Sequence, residues 1–277
     1  KVIRTLEPQK FEDVADFIVD IGGKYEPKKR RFDHHQREGS GARENGVKYA
    51  SFGLVWKEFG KKLAGTPYAA DWVDRHMVQS IDAGDNGAYL YKPILDDVSP
   101  FLFEEYIYAV CDTVKGDGAS LKEFDNQFMR LIPIIKDVLR VFIIKSKQKE
   151  KIMKDARAVY AKSADKRVMI SSKFVPTQFE EFKTPEYVEP LVFVYPDLRG
   201  GWSAKAVQIG GQSFDSRIYF PEPWRGLRDD EMAAASGVPD AIFCHNSGFL
   251  AVAKSKEGAL QLVRKTFREL GLKEPRF

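Results

Sequence analysis

Residues 31–36 read Arg-Phe-Asp-His-His-Gln, so two of the four histidines in the chain stand side by side directly after an acid. Neighbouring side chains on an extended or turning backbone point in different directions, so one imidazole can bind a metal ion while the other faces a substrate. Upstream, the apolar run 17–21 predicts a buried strand that delivers Asp20 into a glycine turn. Downstream, Asp82 and Asp85 follow a predicted helix. The sequence therefore predicts a site built where several elements end.

The residue types at these ends indicate a metal site of a particular kind. Imidazole combined with carboxylates such as Asp20 and Asp85, without a thiolate, suits manganese or magnesium better than structural zinc. Two such ions about 3.5–4 Å apart can activate water and stabilise the leaving oxygen in phosphoryl transfer. The alternative is a surface turn with a chance histidine pair, which acids at three separate element ends make the weaker interpretation.

Composition excludes several other classes of protein. The 277 residues are 43% hydrophobic and carry a formal net charge of +4, which fits a soluble protein of about two domains and is too mild to demonstrate nucleic-acid binding. The longest apolar candidate, residues 131–144, contains charges and does not predict a membrane span. Cys111 and Cys244 form no Cys-x-x-Cys pair, so neither a disulfide scaffold nor a cysteine-bound zinc is expected. A reducing, cytoplasmic location is the default expectation.

Hydrophobic periodicity predicts an α/β chain with a long central helix. Helices are expected over 50–59, 68–80 and 100–114, followed by a turn at 115–118. Ser120 and Glu123 predict a capping box for a helix that runs towards residue 160, with a kink at Pro133. Short strands and two further helices follow. The predicted domains comprise residues 1–118, a connector helix 119–164, and a smaller α/β domain 165–277.

Several short strings, taken together in this order, resemble a known family. They are VDIGG (19–23), DHHQ (33–36), YASFGLVW (49–56), DAGDNG (82–87), GW (201–202), FPEPWRGLR (220–228) and HNSGF (245–249). The sequence resembles the melanocyte-proliferating-gene (MYG) family of the DHH phosphoesterase superfamily. The resemblance implies a two-domain α/β hydrolase in which a long helix joins a parallel-sheet N-terminal domain to a smaller C-terminal domain. It further implies a cleft between the domains, manganese-type ions and, in eukaryotic members, exoribonuclease activity from the 3′ end.

The resemblance also implies roles for individual residues of the first domain. Asp20 corresponds to the aspartate that bridges the metal ions, His34 to a direct ligand, and His35 to a group that contacts the reacting phosphate. Asp33 would orient its neighbours, since a ligating imidazole needs its other nitrogen held. Asp82 and Asp85 are both available as the last ligand, and Asp85 is preferred because Asn-Gly follows it.

Candidates for holding the substrate lie in the second half of the chain. They are Arg225, Arg228, His245, Asn246, Ser247, Gly248 and Trp202. Guanidinium groups, hydroxyls and exposed backbone N–H groups can grip phosphate and ribose hydroxyls, and tryptophan can stack on a base. Alternatives stay open at each position: the arginines can pair with the acids at 229 and 230, the tryptophan can belong to a core, and residues 245–248 can be a tight structural turn.

One family motif has no counterpart in this sequence. Family members begin with a strand and loop close to His-x-Gly-x-Phe-His-x-Asp-Asp, whereas residues 1–5 resemble the family's second strand. We therefore expect an N-terminal segment to be missing here, and metal binding by these 277 residues to be weak or incomplete. The complete protein would hold two ions, manganese or magnesium.

Three functions follow from these observations. The first is a metal-dependent phosphodiester hydrolase, a 3′-5′ exoribonuclease whose partner is the 3′ end of RNA or an oligonucleotide and which needs no membrane. The missing motif motivates the second, a non-catalytic nucleotide- or RNA-binding protein. The third is a small-molecule phosphatase of the DHH type. Organellar targeting and oligomeric state stay open.

Overall fold

The structure, a computed structural model, describes residues 1–114, 120–174, 182, 187–210, 213 and 215–277. The chain divides into two units, Lys1–Glu150 and Lys151–Phe277. It contains helices and two sheets, so the predicted α/β class is confirmed. The predicted turn at 115–118 and the predicted domain boundary after residue 118 lie outside the described residues. The domain limits at 1–118, 119–164 and 165–277 stay predictions.

The first unit contains a small sheet of three two-residue strands. These are β1 (Ile18–Val19), β2 (Tyr25–Glu26) and β3 (Arg31–Phe32), in the order β1-β3-β2. β1 and β3 run parallel, as expected, but β2 is antiparallel to β3, so this sheet is mixed and not purely parallel. The reason is the connection, because the four residues between β2 and β3 are far fewer than the dozen or so that a parallel crossover needs.

The predicted strand 17–21 is shorter and less buried than expected. Ile18 is buried, whereas Val19 is 42% exposed, and the strand ends because Asp20 adopts a left-handed conformation with φ of 64°. Ile18 pairs with Arg31 and Val19 with Phe32. Since parallel strands end at the same edge, the residues that follow β1 and β3 lie next to each other.

Three helical segments follow in sequence and carry the second half of the site. They are α1 (Ser51–Ala64), α2 (Pro67–Val73) and α3 (Gln79–Asp85), with a π-helical stretch, Asp74–Val78, between the last two. Gly65 ends α1 with φ of 90°, and Thr66 caps α2 by accepting a hydrogen bond from the Ala69 N–H at 3.1 Å. The predicted helix 68–80 is confirmed and continues to Asp85.

A short helix, α4 (Phe103–Asp112), precedes the 42-residue helix α5 (Leu121–Lys162). The predicted capping box is confirmed, since the Glu123 N–H donates to Ser120 Oγ at 3.2 Å and the Ser120 N–H donates to Glu123 Oε2 at 2.9 Å. Pro133 lies within α5. In the first unit, apolar α5 residues pack on the core formed by α1 and α2; they are Val138, Leu139, Phe142 and Ile143.

The second unit is built on a five-stranded sheet. Its elements are β4 (Val168–Ile170), β5 (Val192–Pro196), β6 (Trp202–Ala206), α6 (Asp229–Ser236), β7 (Ala241–Cys244), β8 (Leu250–Ala253) and α7 (Lys256–Glu269). The strand order is β4-β5-β6-β8-β7, with β4 and β5 parallel and the other pairs antiparallel. α7 contacts β5, β6, β7 and β8 and closes the core. In the part of the chain that is described, no helix has both the length and the hydrophobicity of a membrane span.

Candidate metal and phosphate site

Asp20 and His34 meet at the edge where β1 and β3 end. The Asp20 N–H donates to the Phe32 carbonyl at 2.9 Å, which holds the turned backbone against β3. The Asp20 carboxylate Oδ1 lies 3.5 Å from His34 Nδ1, and 59% of the Asp20 side chain is exposed. Asp20 and His34, which belong to different sequence motifs, therefore form one cluster that is open to solvent.

The imidazole of His34 has a polar neighbour on each nitrogen. Nδ1 lies 3.1 Å from Ser51 Oγ, at the first residue of α1, and Nε2 lies 3.1 Å from Asp85 Oδ2, at the last residue of α3. Only 9% of the His34 side chain is exposed, whereas the Asp85 side chain is 48% exposed. The structure thus brings together Asp20, His34 and Asp85, the three residues that sequence reasoning expected to converge.

Asp33 is buried and holds the turn that carries both histidines. Its Oδ2 accepts a hydrogen bond from the Gly23 N–H at 2.6 Å, and its Oδ1 accepts from the N–H groups of His34 and His35 at 2.7 and 3.2 Å. Burial alone would raise the pKa of Asp33, but the hydrogen bonds from Gly23 and His35 outweigh it and lower that pKa. Its oxygens are therefore already occupied by protein donors.

His35 faces solvent while its ring is fixed at one end. Its Nδ1 lies 2.6 Å from Asp33 Oδ1, its ring centroid lies 4.1 Å from that of His34, and 61% of its side chain is exposed. The hydrogen bond to Asp33 raises the pKa of His35. Within the described residues Nε2 of His35 has no hydrogen-bond partner, so this nitrogen is free to contact a bound molecule.

Asp82, the other acid considered as a ligand, is engaged elsewhere. It is fully buried, its Oδ2 lies 2.8 Å from Arg43 Nη2, and its Oδ1 accepts a hydrogen bond from the Gly53 N–H at 2.9 Å. Burial raises the pKa of Asp82, whereas Arg43 and the backbone of α1 act in the opposite direction. The contacts favour Asp85 over Asp82 as the acid that reaches His34.

Four side chains of this site lie close enough together to hold a metal ion. Asp20, Asp33, His34 and His35 each offer one ligand atom, and these atoms all lie within 4.8 Å of one another. Carboxylate and imidazole groups are both common metal ligands, so this cluster could hold a metal ion. This group includes His35 and does not include Asp85, whose Oδ2 lies 3.1 Å from His34 Nε2. The oxygens of Asp33 already accept hydrogen bonds from the protein.

In the second unit, four predicted residues form one turn between β7 and β8. The Gly248 N–H donates to the His245 carbonyl at 2.7 Å, and the Ser247 N–H donates to His245 Nδ1 at 3.0 Å. Asn246 and Ser247 are exposed, and Gly248 adopts φ of 65°. The segment is a tight hairpin turn, the structural alternative, and it also presents an amide and a hydroxyl to solvent.

Arg225 lies against this turn. Its Nε donates to the Phe220 carbonyl at 3.1 Å, and a Cβ added at Gly248 would lie only 2.6 Å from that nitrogen. Asn246 is adjacent too, because a Cβ added at Gly226 would lie 2.7 Å from its Oδ1. The structure therefore groups Arg225 with residues 245–248.

Arg228 and Trp202 have separate surroundings. The Arg228 guanidinium lies over the Phe243 ring at 4.4 Å, and within the described ranges neither Arg225 nor Arg228 pairs with a carboxylate. Trp202 is partly buried against the core of the second unit, with Lys256 Nζ 5.9 Å from the centre of its ring. Its contacts are those of a residue at the margin of a core.

Sequence reasoning missed two residues of the first unit. Ser51 stands within the string 49–56, where nothing in its type or spacing marked it as a neighbour of a histidine. Arg43 stands in a polar, glycine-rich stretch whose composition indicates a solvated loop. Their positions depend on tertiary packing, which no local pattern reveals.

Comparison with known proteins identifies relatives along nearly the whole chain. The model of the MYG1 exonuclease family, described as uncharacterised protein family UPF0160, matches residues 1–267. The chain is 29% identical over 308 residues to MYG1 exonuclease of Rattus norvegicus, covering 97% of this chain and 77% of the rat protein. It is 29% identical over 310 residues to MYG1 exonuclease of Homo sapiens, covering 97% of this chain and 78% of the human protein.

A yeast relative extends the comparison. An MYG1 protein of Saccharomyces cerevisiae is 29% identical over 295 residues, covering 95% of this chain and 86% of the yeast protein. No solved structure matches the chain. Because the family model matches far more than half of the sequence, this chain belongs to the MYG1 family.

Proposed function

We propose that this protein is a metal-dependent phosphodiester hydrolase that removes nucleotides from the 3′ end of RNA. The observation that carries the proposal is the imidazole of His34, which stands between the carboxylates of Asp20 and Asp85 at a solvent-open edge. Relatives over 97% of the chain are named exonucleases, which supports nucleic acid as the substrate. The direction of cleavage and the choice of RNA belong to the proposal.

Asp20, His34 and Asp85 would hold the metal ion. When bound, manganese or magnesium supplies Lewis-acid stabilisation of phosphate charge and lowers the pKa of a coordinated water. With Nδ1 donating to the Ser51 hydroxyl, 3.1 Å away, the Nε2 lone pair of His34 would be available to a metal ion. Asp20 and Asp85 supply the negative charge that a divalent ion requires.

His35 would contact the phosphate that reacts. Asp33 accepts a hydrogen bond from its Nδ1, which orients the ring. Because the same contact raises the pKa of His35 and so favours the protonated ring, the exposed Nε2 would also carry a hydrogen and donate it to a non-bridging phosphate oxygen. Asp33 also accepts hydrogen bonds from the backbone N–H groups of His34 and His35. One buried carboxylate therefore sets the directions of the two rings. These contacts support the separate roles that the sequence predicts for the two adjacent histidines.

The second unit would hold the terminal nucleotide. Arg225 offers a guanidinium without a carboxylate partner among the described residues, and Asn246 and Ser247 offer exposed polar groups beside it. A donor and acceptor of this kind can read the 2′-hydroxyl, which distinguishes RNA from DNA. Arg228 would add charge, and Trp202 would contact the substrate only through its exposed edge. In His245→Ala and Ser247→Ala proteins, we expect a reduced preference for RNA over DNA.

We further propose the finer family placement and the metal content. The sheet edge with Asp20, Asp33, His34 and His35 supports membership of the DHH phosphoesterase superfamily. Manganese is proposed as the ion. The long helix α5, which begins at a capping box and contributes residues to both units, supports a connector between two domains.

A labelled single-stranded RNA tests the proposal. With a 5′ label and Mn²⁺, the wild-type protein should produce a ladder shortened from the 3′ end, and His34→Ala and Asp20→Asn should abolish it. Asn is a matched replacement because it tolerates the left-handed backbone at residue 20. Arg75→Ala, which removes an exposed ion pair with Asp71, is the control and should leave the ladder unchanged.

Other outcomes would assign other functions. RNA retention without cleavage would replace the hydrolase by an RNA-binding protein. Hydrolysis confined to small phosphate esters would favour a phosphatase. Full cleavage by both the His34→Ala and the Asp20→Asn protein would refute the metal assignment.

A further inference from the structure

A buried arginine lies next to the helices that reach the site. Arg43 Nε and Nη2 donate to the two oxygens of Asp74 at 2.8 and 2.7 Å, and Nη2 also lies 2.8 Å from Asp82 Oδ2. Its side chain is 7% exposed, and its guanidinium lies over the Tyr49 ring at 4.2 Å. Burial alone would lower the pKa of Arg43, but pairing with Asp74 and Asp82 outweighs it and raises that pKa.

The acid that Arg43 holds caps a different helix. α1 begins after Ala50, whose side chain offers no acceptor for the free N–H groups of the first turn. Asp82, from α3, supplies the acceptor instead, taking the Gly53 N–H at 2.9 Å. The approach requires glycine, because a Cβ at residue 53 would lie 1.8 Å from Asp82 Oδ2 and 2.9 Å from Arg43 Nη2.

The two helices joined in this way each contribute one contact to His34. Ser51, the first residue of α1, lies at Nδ1, and Asp85, the last residue of α3, lies at Nε2, each at 3.1 Å. A small displacement of α1 relative to α3 would therefore change the contact on one nitrogen while keeping the other. Metal ligands tolerate little misplacement of this kind.

We propose that Arg43 is a positioning residue for the metal site: its pairing with Asp82 fixes the start of α1 against α3 and so holds Ser51 and Asp85 on opposite nitrogens of His34. The inference rests on the proposed function, since it concerns how His34 is presented to an ion. Arginine is needed because its planar fork reaches two carboxylates at once, which a lysine ammonium cannot reproduce.

A gain in folding stability does not by itself explain why Arg43, Asp74 and Asp82 are paired in the interior. A buried ion pair is often no more stabilising than apolar residues of similar volume, because both charges lose their hydration. What the pair does provide is a fixed direction and distance between two helices. The geometry of the site depends on that distance, whereas the apolar core of Trp56, Trp72 and Val73 does not require it.

The test compares two arginine forks of the same kind. Arg43→Lys keeps the positive charge but loses the planar guanidinium fork. Mn²⁺ binding is measured from the electron paramagnetic resonance signal of the free ion. We expect the Mn²⁺ dissociation constant to rise about 10- to 100-fold, and kcat to fall with little change in KM. Arg167→Lys breaks a matching fork to Asp165, with 2.9 and 2.6 Å contacts, in the second unit, and should leave Mn²⁺ affinity unchanged.

A second variant covers the case in which Arg43→Lys does not fold. Ser51→Ala removes one oxygen beside His34 Nδ1 and leaves the ion cluster intact, and it too should weaken Mn²⁺ binding at least about tenfold. A folded Arg43→Lys protein with wild-type Mn²⁺ affinity overturns the inference. An equal loss of Mn²⁺ affinity in the Arg167→Lys protein overturns it as well. If Arg43→Lys does not fold, an unchanged Mn²⁺ affinity in the Ser51→Ala protein overturns the inference. A wild-type protein that binds no Mn²⁺ refutes the proposed function itself and this inference with it.

Discussion

Replacing Gly53 by alanine should destabilise the first unit, although the same change usually stabilises a helix. Glycine inside a helix costs about 1 kcal/mol relative to alanine, so a gain is expected where space allows. At residue 53 the added Cβ would lie 1.8 Å from Asp82 Oδ2, 2.7 Å from its Cγ and 2.9 Å from Arg43 Nη2. The carboxylate must therefore move away from the start of α1.

The magnitude follows from the contacts that this movement weakens. The hydrogen bond from the Gly53 N–H ends on a charged group, and such a bond contributes about 1.5–3 kcal/mol. Breaking a buried ion pair completely costs about 3–5 kcal/mol. The alanine displaces Asp82 without removing it, so the Arg43–Asp82 pair should lose only part of that energy. After the gain in helix propensity is subtracted, the free energy of unfolding should fall by about 2–4 kcal/mol.

Hydrogen exchange along a urea series measures this loss unit by unit, because peptides from the two units are resolved separately. Gly84→Ala is the control, since its Cβ would meet only Glu104 Oε2, at 3.4 Å, and its stability should change by less than about 1 kcal/mol. In an Asp82→Ala background the Gly53→Ala change should lose most of its cost. A Gly53→Ala protein as stable as the wild type would show that Asp82 does not approach α1 as closely as described.

Two further predictions concern the second unit. Hydrogen bonding from Arg167 lowers the pKa of Asp165 below its value in the unfolded chain. The pair therefore stabilises the second unit above about pH 4, and this stabilisation is lost as the pH falls through the lowered pKa. In thermal unfolding curves, the Asp165→Asn protein should depend less on acid pH than the wild type. Gly248→Ala should lower the free energy of unfolding by about 1–3 kcal/mol and raise KM for RNA, because residue 248 is left-handed and a Cβ there would meet Arg225. An unchanged free energy of unfolding together with an unchanged KM would refute a role for this turn in binding RNA.

The sequence predicted the site residues that depend on chain position and missed those that depend on packing. Local patterns placed Asp20 at the end of a strand and Asp85 at the end of a helix, and the adjacent histidines marked His34. Strand β3, which precedes His34 and pairs with β1, was not predicted. The choice between Asp82 and Asp85 stayed open because both acids occur within one turn. Only the contact of Asp82 with Arg43 shows why one acid faces a helix and the other faces the imidazole.

Secondary structure followed the same division. The capping box at Ser120 and Glu123 and the helices on either side were predicted because their signals are local. Strand β8 (Leu250–Ala253) was missed, since four consecutive apolar residues after a turn give no clear period. Strand β2 was not predicted, and its antiparallel pairing departs from the expected parallel sheet because strand direction depends on loop length and pairing, and not on residue type.

Anomalous diffraction at the manganese edge, from crystals grown with Mn²⁺, would locate the proposed metal ion. We expect a peak within ligand distance of His34 Nε2 and of the carboxylates of Asp20 and Asp85, and we expect crystals of the His34→Ala protein to lack it. A manganese peak bound by other residues, or a wild-type crystal with no peak at His34, would refute the proposed metal site.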